Sequence, residues 1–234
     1  MPSSSSASPR RPDPVPGPLA YLSPESSWGL GDVAVAFVGA EVGGAMVAVA
    51  LLLLSGTKGT VVPLWIETLA ELPLWAFFIG IPVWATRHKG DGPAADIGLR
   101  IRWYDVPLGI VVGLIGQQLL VGLVYWPIFK VLGHSLDVGQ VAQQLTDKAQ
   151  GLGGELLIFF LVAVGAPLAE EIFFRGLTQR ALLKKQGLAR LNPWFAVIAT
   201  ALFFAASHFQ PVQFPALFVF GLVLGLLALS LIHI

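Results

Sequence analysis

Long apolar runs constrain the fold of this sequence more than any other feature. Each run approaches or exceeds the roughly 20 residues that a helix needs to cross the hydrocarbon core of a bilayer. The runs are 33–54, 61–85, 106–132, 155–176, 194–209 and 214–231. In a bilayer every backbone N–H and C=O group must be paired inside the protein, and a helix pairs them within one segment. The sequence therefore predicts an all-α, polytopic transmembrane helical bundle of about six spans over residues 28–234.

Composition agrees with a membrane protein and restricts its chemistry. Only 12% of the residues are charged, and the mean hydropathy is +0.75, whereas about 25% are charged in an ordinary soluble domain. The 14 basic and 14 acidic residues cancel, so bulk charge attracts no nucleic acid and we expect no such partner. The absence of cysteine excludes thiol nucleophiles, disulfides and Cys-ligated zinc. Any chemistry must use oxygen and imidazole groups.

The distribution of positive charge predicts the topology. Residues 1–27, rich in serine and proline, are predicted to form a disordered tail. Alternate sides of the six-span arrangement carry eleven and three Lys and Arg residues. By the positive-inside rule, the amino terminus and the stretches 86–105 and 175–190 face the cytoplasm. We expect a multi-pass protein of the plasma membrane, in contact with lipids, with a short surface helix within 136–152.

Two adjacent carboxylates, Glu170 and Glu171, lie inside the fourth apolar run. Ionisable groups within a membrane are costly and are usually functional. Glu171 and Arg175 are four residues apart, so they share one helix face and can pair. Glu170 points about 100° away from that face and is free to take a proton from water. The alternative, in which both glutamates only pack against Arg175 and polar groups of neighbouring helices, stays open.

The next apolar run carries Phe204 and His208, which are also four residues apart. This spacing alone is a weak signal, because a core or interfacial histidine fits it as well. Its position matters, since an imidazole there could share a cavity with Glu170 and bind one water. For straight helices the two groups would differ in depth by about 13 Å. A shared site then requires a kink at Pro167 or different helix boundaries.

Taken together, these motifs resemble those of a known family. They are EExxxR at 170–175, with Pro167 before it and Gly176 after it, and FxxxH at 204–208. This combination is similar to the CPBP family of intramembrane proteases. The family contains type II CAAX prenyl endopeptidases and the bacteriocin-processing or self-immunity proteins also called Abi proteins. The resemblance covers about residues 155–230, which we take as the family core of the transmembrane domain.

The resemblance implies an intramembrane endopeptidase that cleaves a peptide or protein substrate in or at the membrane. It implies that Glu170 and His208 activate the hydrolytic water, and that Glu171 and Arg175 form a supporting pair. The family is often described as metalloproteases, so Glu170 and His208 are also candidate ligands for Zn²⁺. A catalytic zinc normally has three protein ligands, and the sequence contains no HExxH motif.

A second function remains open at this point. The chain could be a non-catalytic transporter, or a bacteriocin self-immunity scaffold that uses its glutamates to bind protons or a partner. Glu67 and Glu71 lie four apart in the second run and could share one proton along such a path. They could equally form a polar stripe that faces water or a partner helix.

The family carries a third motif that this sequence does not contain. It is a histidine followed four residues later by Asn or Asp in a further helix, whereas this chain ends one residue after His233. We expect the natural protein to continue for roughly 25 to 60 residues and to include that helix. The missing histidine would help to stabilise the oxyanion, so the chain as printed would be inactive if that group is required.

Overall fold

A computed structural model describes residues 26–57, 62–98, 103, 105–116, 119, 121–133, 137–184 and 193–231. All regular secondary structure in these ranges is helical. The helices are α1 (Leu30–Ser55), α2 (Leu64–Lys89), α3 (Pro93–Asp96), α4 (Asp105–Ile115), α5 (Val121–Leu132), α6 (Gln140–Thr146), α7 (Gly151–Lys184), α8 (Pro193–Ser207) and α9 (Phe214–Leu231). The prediction of an all-α membrane helical bundle is confirmed.

Each predicted apolar run contains a helix. By length and composition α1, α2 and α7 could cross a membrane, with 26, 26 and 34 residues. Shorter apolar helices, α5, α8 and most of α9, follow the remaining runs. The third run holds both α4 and α5, and the predicted surface segment 136–152 holds the short, exposed helix α6. The predicted tail lies outside the described residues up to position 25.

Small residues allow α1 and α2 to pack closely along their length. A Cβ atom at Gly39 would lie 2.3 Å from Cε1 of Phe77, and one at Gly43 would lie 3.0 Å from Cβ of Pro73. Lipid tails are as apolar as the side chains, so helices in a membrane associate through such close packing. This pair forms one wall of the bundle against which α7 lies.

Aromatic side chains join α7 to its neighbours. Phe173 and Phe174 are almost completely buried. The ring of Phe173 stacks on Phe78 of α2, with centroids 4.1 Å apart and planes at 10°. The ring of Phe174 meets Phe204 of α8 edge to face, with centroids 5.2 Å apart. These contacts hold the middle of α7, which carries the paired glutamates, between α2 and α8.

Polar contacts identify the two ends of the bundle. At one end Asp32 of α1 pairs with Lys89 of α2 at 2.5 Å. At the same end Lys184 of α7 donates to Ser26 Oγ at 2.5 Å and to the carbonyl of Trp28 at 2.9 Å. The start of α1 and the ends of α2 and α7 therefore lie together. That arrangement is the one an alternating six-span topology requires.

The opposite end is tied by a second set of contacts. Lys148, just before α7, pairs with Glu67 near the start of α2. Gln213, in the turn before α9, donates from Nε2 to the carbonyl of Val138 at 3.1 Å. Helix α8 ends beside this turn, so the last residues of α8 lie toward the end of the bundle that carries α6.

Candidate active site

The helix that carries the paired glutamates changes its hydrogen-bonding pattern around them. Residues Phe160–Gly165 and Glu171–Gln179 are π-helical, and Ala166–Glu170 between them are α-helical. Pro167 lacks an N–H group, and its ring crowds the carbonyl of the preceding turn. Local π turns are one way in which membrane helices accommodate a proline, and such turns are frequent at functional sites. Glu170 is therefore the last residue of the short α-helical stretch between the two π-helical segments.

A close contact with α2 fixes the first wide turn. A Cβ atom at Gly165 would lie 2.2 Å from Cη2 of Trp75, so only glycine leaves room for that indole ring. The same indole meets Phe160 edge to face, with centroids 6.0 Å apart. The π segment thus lies directly against α2, and this contact helps to set the position of Glu170 one turn later.

The two residues expected to activate water lie together. Nε2 of His208 is 3.9 Å from Oε1 of Glu170. The side chains are 24% and 26% exposed, so both are accessible. A separation of 3.9 Å is too long for a direct hydrogen bond, and one water bonded to both groups can span it. Straight-helix geometry had placed them about 13 Å apart in depth. The packing of α8 against α7 and the end of α8 at Ser207 therefore bring the two groups together.

A backbone contact fixes the tautomer of the imidazole. Nδ1 of His208 lies 2.7 Å from the carbonyl oxygen of Phe204. A carbonyl can only accept, so Nδ1 carries the proton and donates it. In the neutral ring Nε2 then has a free lone pair, and this is the nitrogen nearest to Glu170.

The supporting pair is also present. Nη1 of Arg175 lies 3.2 Å from Oε1 of Glu171, with Arg175 only 5% exposed and Glu171 43% exposed. The guanidinium carbon lies 4.7 Å from the centroid of the Phe204 ring. Nε, Nη1 and Nη2 of Arg175 are buried without an aligned hydrogen bond. The cation is therefore held by its ion contact with Glu171 and by aromatic rings.

The carboxy-terminal third of the chain matches a known protein-family model. Residues 152–231 match the family described as type II CAAX prenyl endopeptidase Rce1-like. This segment is similar to that family. Both motifs lie within the Rce1-like segment, so the CPBP resemblance is confirmed there. No curated protein and no solved structure matches the chain.

The other membrane-embedded glutamates have different surroundings. Glu67 pairs with Lys148, 81 positions away, which favours a polar stripe facing a partner over a shared proton with Glu71. Neither the apolar pattern nor the helical spacing could identify this ion pair from the sequence. Glu71 lies one helical turn from Glu67 toward the middle of α2 and within electrostatic range of Glu170.

The described side chains do not fit a catalytic zinc. Glu170 and His208 would supply two ligands, whereas such sites normally use three protein ligands and a water. Within the ranges that the structure describes, no group of three or more His, Asp or Glu side chains could hold a metal ion. We therefore assign no chemical step of the Rce1-like segment to a metal.

An unusual backbone conformation follows the histidine directly. Phe209 has φ 52°, in the left-handed region that costs a residue with a Cβ atom about 1 to 2 kcal/mol. Its N–H bonds to the carbonyl of Ala206 at 3.1 Å, and the chain leaves α8 at this point. The chain therefore reverses directly after His208, which itself follows the last residue of α8.

Two substitutions of Phe209 should separate the effect of backbone strain on stability from the effect of losing the aromatic ring. We expect Phe209→Gly to be more stable than Phe209→Ala by about 1 kcal/mol, because glycine adopts positive φ without a steric penalty. Both changes remove the same exposed ring, so their difference reports the backbone alone. Thermal unfolding of the two variants in detergent measures it. Equal midpoints would show that Phe209 is not strained.

Proposed function

We propose that the protein is an intramembrane endopeptidase that hydrolyses a peptide bond with a water activated by Glu170 and His208. The observation that carries this proposal is the 3.9 Å separation between the two side chains. They come from different helices, and both lie within the segment that matches the model described as type II CAAX prenyl endopeptidase Rce1-like. A carboxylate and an imidazole lone pair that share one water form a general-base arrangement.

The proposed reaction follows from the protonation states. The carboxylate of Glu170 accepts a proton from the water while Nε2 of His208 accepts a hydrogen bond from it, and the water oxygen attacks the peptide carbonyl carbon. The C–N bond then breaks, and the proton on Glu170 passes to the leaving nitrogen. One water is consumed, and the products are a carboxylic acid and an amine. Glu171 and Arg175 do not exchange protons in this scheme; they hold the wide turn that follows Glu170.

The surroundings of the site indicate the class of substrate. The pair lies within an apolar bundle whose outer surface is rich in exposed large hydrophobic residues, so a substrate must approach through lipid or from the membrane surface. We propose a peptide held at the membrane by an apolar segment or a lipid group. A soluble peptide would have to leave water to reach Glu170 and would lack the favourable burial of an anchor.

Cleavage by the natural protein in proteoliposomes tests this proposal. Two fluorogenic peptides with the same sequence are compared, one ending in a prenylated CAAX segment and one without the lipid. We expect cleavage of the anchored peptide and much slower cleavage of the soluble one. Absence of cleavage for anchored peptides of several sequences would overturn the endopeptidase assignment. Equal rates for both forms would overturn the anchored-substrate proposal.

We also propose that the amino terminus faces the cytoplasm of a plasma membrane, because eleven Lys and Arg residues lie on that side and three on the other. Asp91 and Asp137 are both exposed and lie at opposite ends of the bundle. The chain has no cysteine of its own, so thiol labelling reports only the introduced cysteine. In intact cells a membrane-impermeant thiol reagent should label Asp137→Cys but not Asp91→Cys. The reverse pattern would contradict the proposed orientation.

A further inference from the structure

We propose that Phe204 is the positioning residue of this site, with an aromatic ring that holds both the Arg175 guanidinium and the His208 imidazole in place. The inference rests on the proposed function and assigns a role to a side chain that touches none of the reacting atoms. It links the helix that carries the carboxylates to the helix that ends at the histidine.

Three contacts converge on Phe204. Its ring is buried, with 3% exposure. The guanidinium carbon of Arg175 lies 4.7 Å from the ring centroid. The imidazole of His208 lies against the same ring, with centroids 4.7 Å apart and planes at 65°, and its Nδ1 donates to the carbonyl of Phe204 at 2.7 Å. One residue therefore contacts the cation of one motif and the imidazole of the other.

The ring matters for Arg175 because little else fixes that cation. Its three nitrogens are buried without aligned hydrogen bonds, and its ion contact is with the partly exposed Glu171. Arg175 also lies within electrostatic range of Glu170 and His208. A guanidinium released from the ring face could turn toward the Glu170 carboxylate and displace the water between the pair. A cation over a desolvated aromatic face is attracted to it, so the ring keeps the guanidinium beside Glu171.

The ring matters for His208 through its shape. Any residue at position 204 would offer a backbone carbonyl to Nδ1, but only a planar ring supplies the edge-to-face contact with the imidazole. This contact limits rotation of the imidazole about its bond to Cβ. Nε2 is then retained on the side of Glu170, and Nδ1 is retained on the carbonyl of Phe204.

An isosteric series tests the electrostatic part of the proposal. Phe204 is replaced in the natural protein by 4-fluoro-, 3,5-difluoro- and 3,4,5-trifluorophenylalanine, which keep the ring shape and weaken the negative potential of its face. We expect kcat to fall stepwise, by about tenfold for the trifluoro ring, with KM nearly unchanged. The same series at Phe203, which packs on Phe37, Phe173 and Phe174, is the control and should leave kcat unchanged. If kcat stays the same across the fluorinated series at position 204 in an active enzyme, the proposed role of the ring is wrong.

A second measurement does not depend on cleavage. In the chain of residues 1–234, His88, His134 and His233 are replaced by Gln, so that the ¹⁵N spectrum of labelled imidazole reports His208 alone. With Phe204 present we expect a single tautomer protonated at Nδ1, and with Phe204→Leu a mixture of tautomers. If the tautomers change in this way but the natural protein cleaves no peptide, the positioning role of Phe204 is kept and the proposed function is rejected. An unchanged spectrum with Phe204→Leu would reject the positioning role, whatever the activity.

Discussion

Replacement of Glu170 by Gln should abolish peptide cleavage while the protein remains in the membrane at normal abundance. The amide keeps the shape of the side chain but cannot accept a proton from water. Loss of a positioned general base typically lowers the rate by about 10² to 10⁴-fold. The substitution buries no new charge, so folding should be preserved. The measurement is cleavage of a membrane-anchored reporter, alongside the amount of protein extracted in detergent.

Matched variants decide between an enzyme and a non-catalytic membrane protein. His208→Ala should lose cleavage in the same way, whereas Glu41→Gln, a glutamate in α1, should retain it. A scaffold or transporter that uses Glu170 only for hydrogen bonding would keep its phenotype in Glu170→Gln, since the amide still forms such bonds. Full cleavage by Glu170→Gln at normal abundance would end the assignment of that residue as the base.

Replacement of the neighbouring Glu171 by Gln should have a different effect, the loss of folded protein. Arg175 is 5% exposed, and its ion contact in the described part of the chain is with Glu171. Removing one partner of a buried pair leaves an uncompensated charge and costs about 3 to 5 kcal/mol. We expect about 3 kcal/mol, because Glu171 itself is partly exposed. The yield of monodisperse protein and its thermal midpoint in detergent, compared with those of Glu170→Gln, measure the difference.

A double substitution separates the effect of the unpaired charge on stability from the effect of changing side-chain shape. Glu171→Gln combined with Arg175→Met removes both charges and places an apolar side chain against Phe174 and Phe204. Replacement of a complete buried pair by apolar groups is often neutral or stabilising. The double variant should therefore recover abundance relative to Glu171→Gln alone. If both are equally unstable, the loss does not arise from the orphaned guanidinium.

Much of the architecture could be predicted from the sequence because it depends on local interactions. Helices follow the apolar runs, since each backbone group in lipid must find a partner within a few residues. The contact between Glu171 and Arg175 follows from their spacing on one helix. The choice of Glu170 and His208 came from the resemblance of two motifs to those of a protease family, and both motifs lie in the segment that matches the Rce1-like family model; their catalytic roles remain proposals.

The distances that create the site were decided only by the tertiary structure. The 3.9 Å between Glu170 and His208 depends on how α8 packs against α7 and on the point where α8 ends. The pairing of Glu67 with Lys148 joins residues 81 positions apart. Helix periodicity specifies which side chains share a face, but not how far each helix is shifted along its neighbour. That shift is set by packing between side chains of different helices, which no local pattern records.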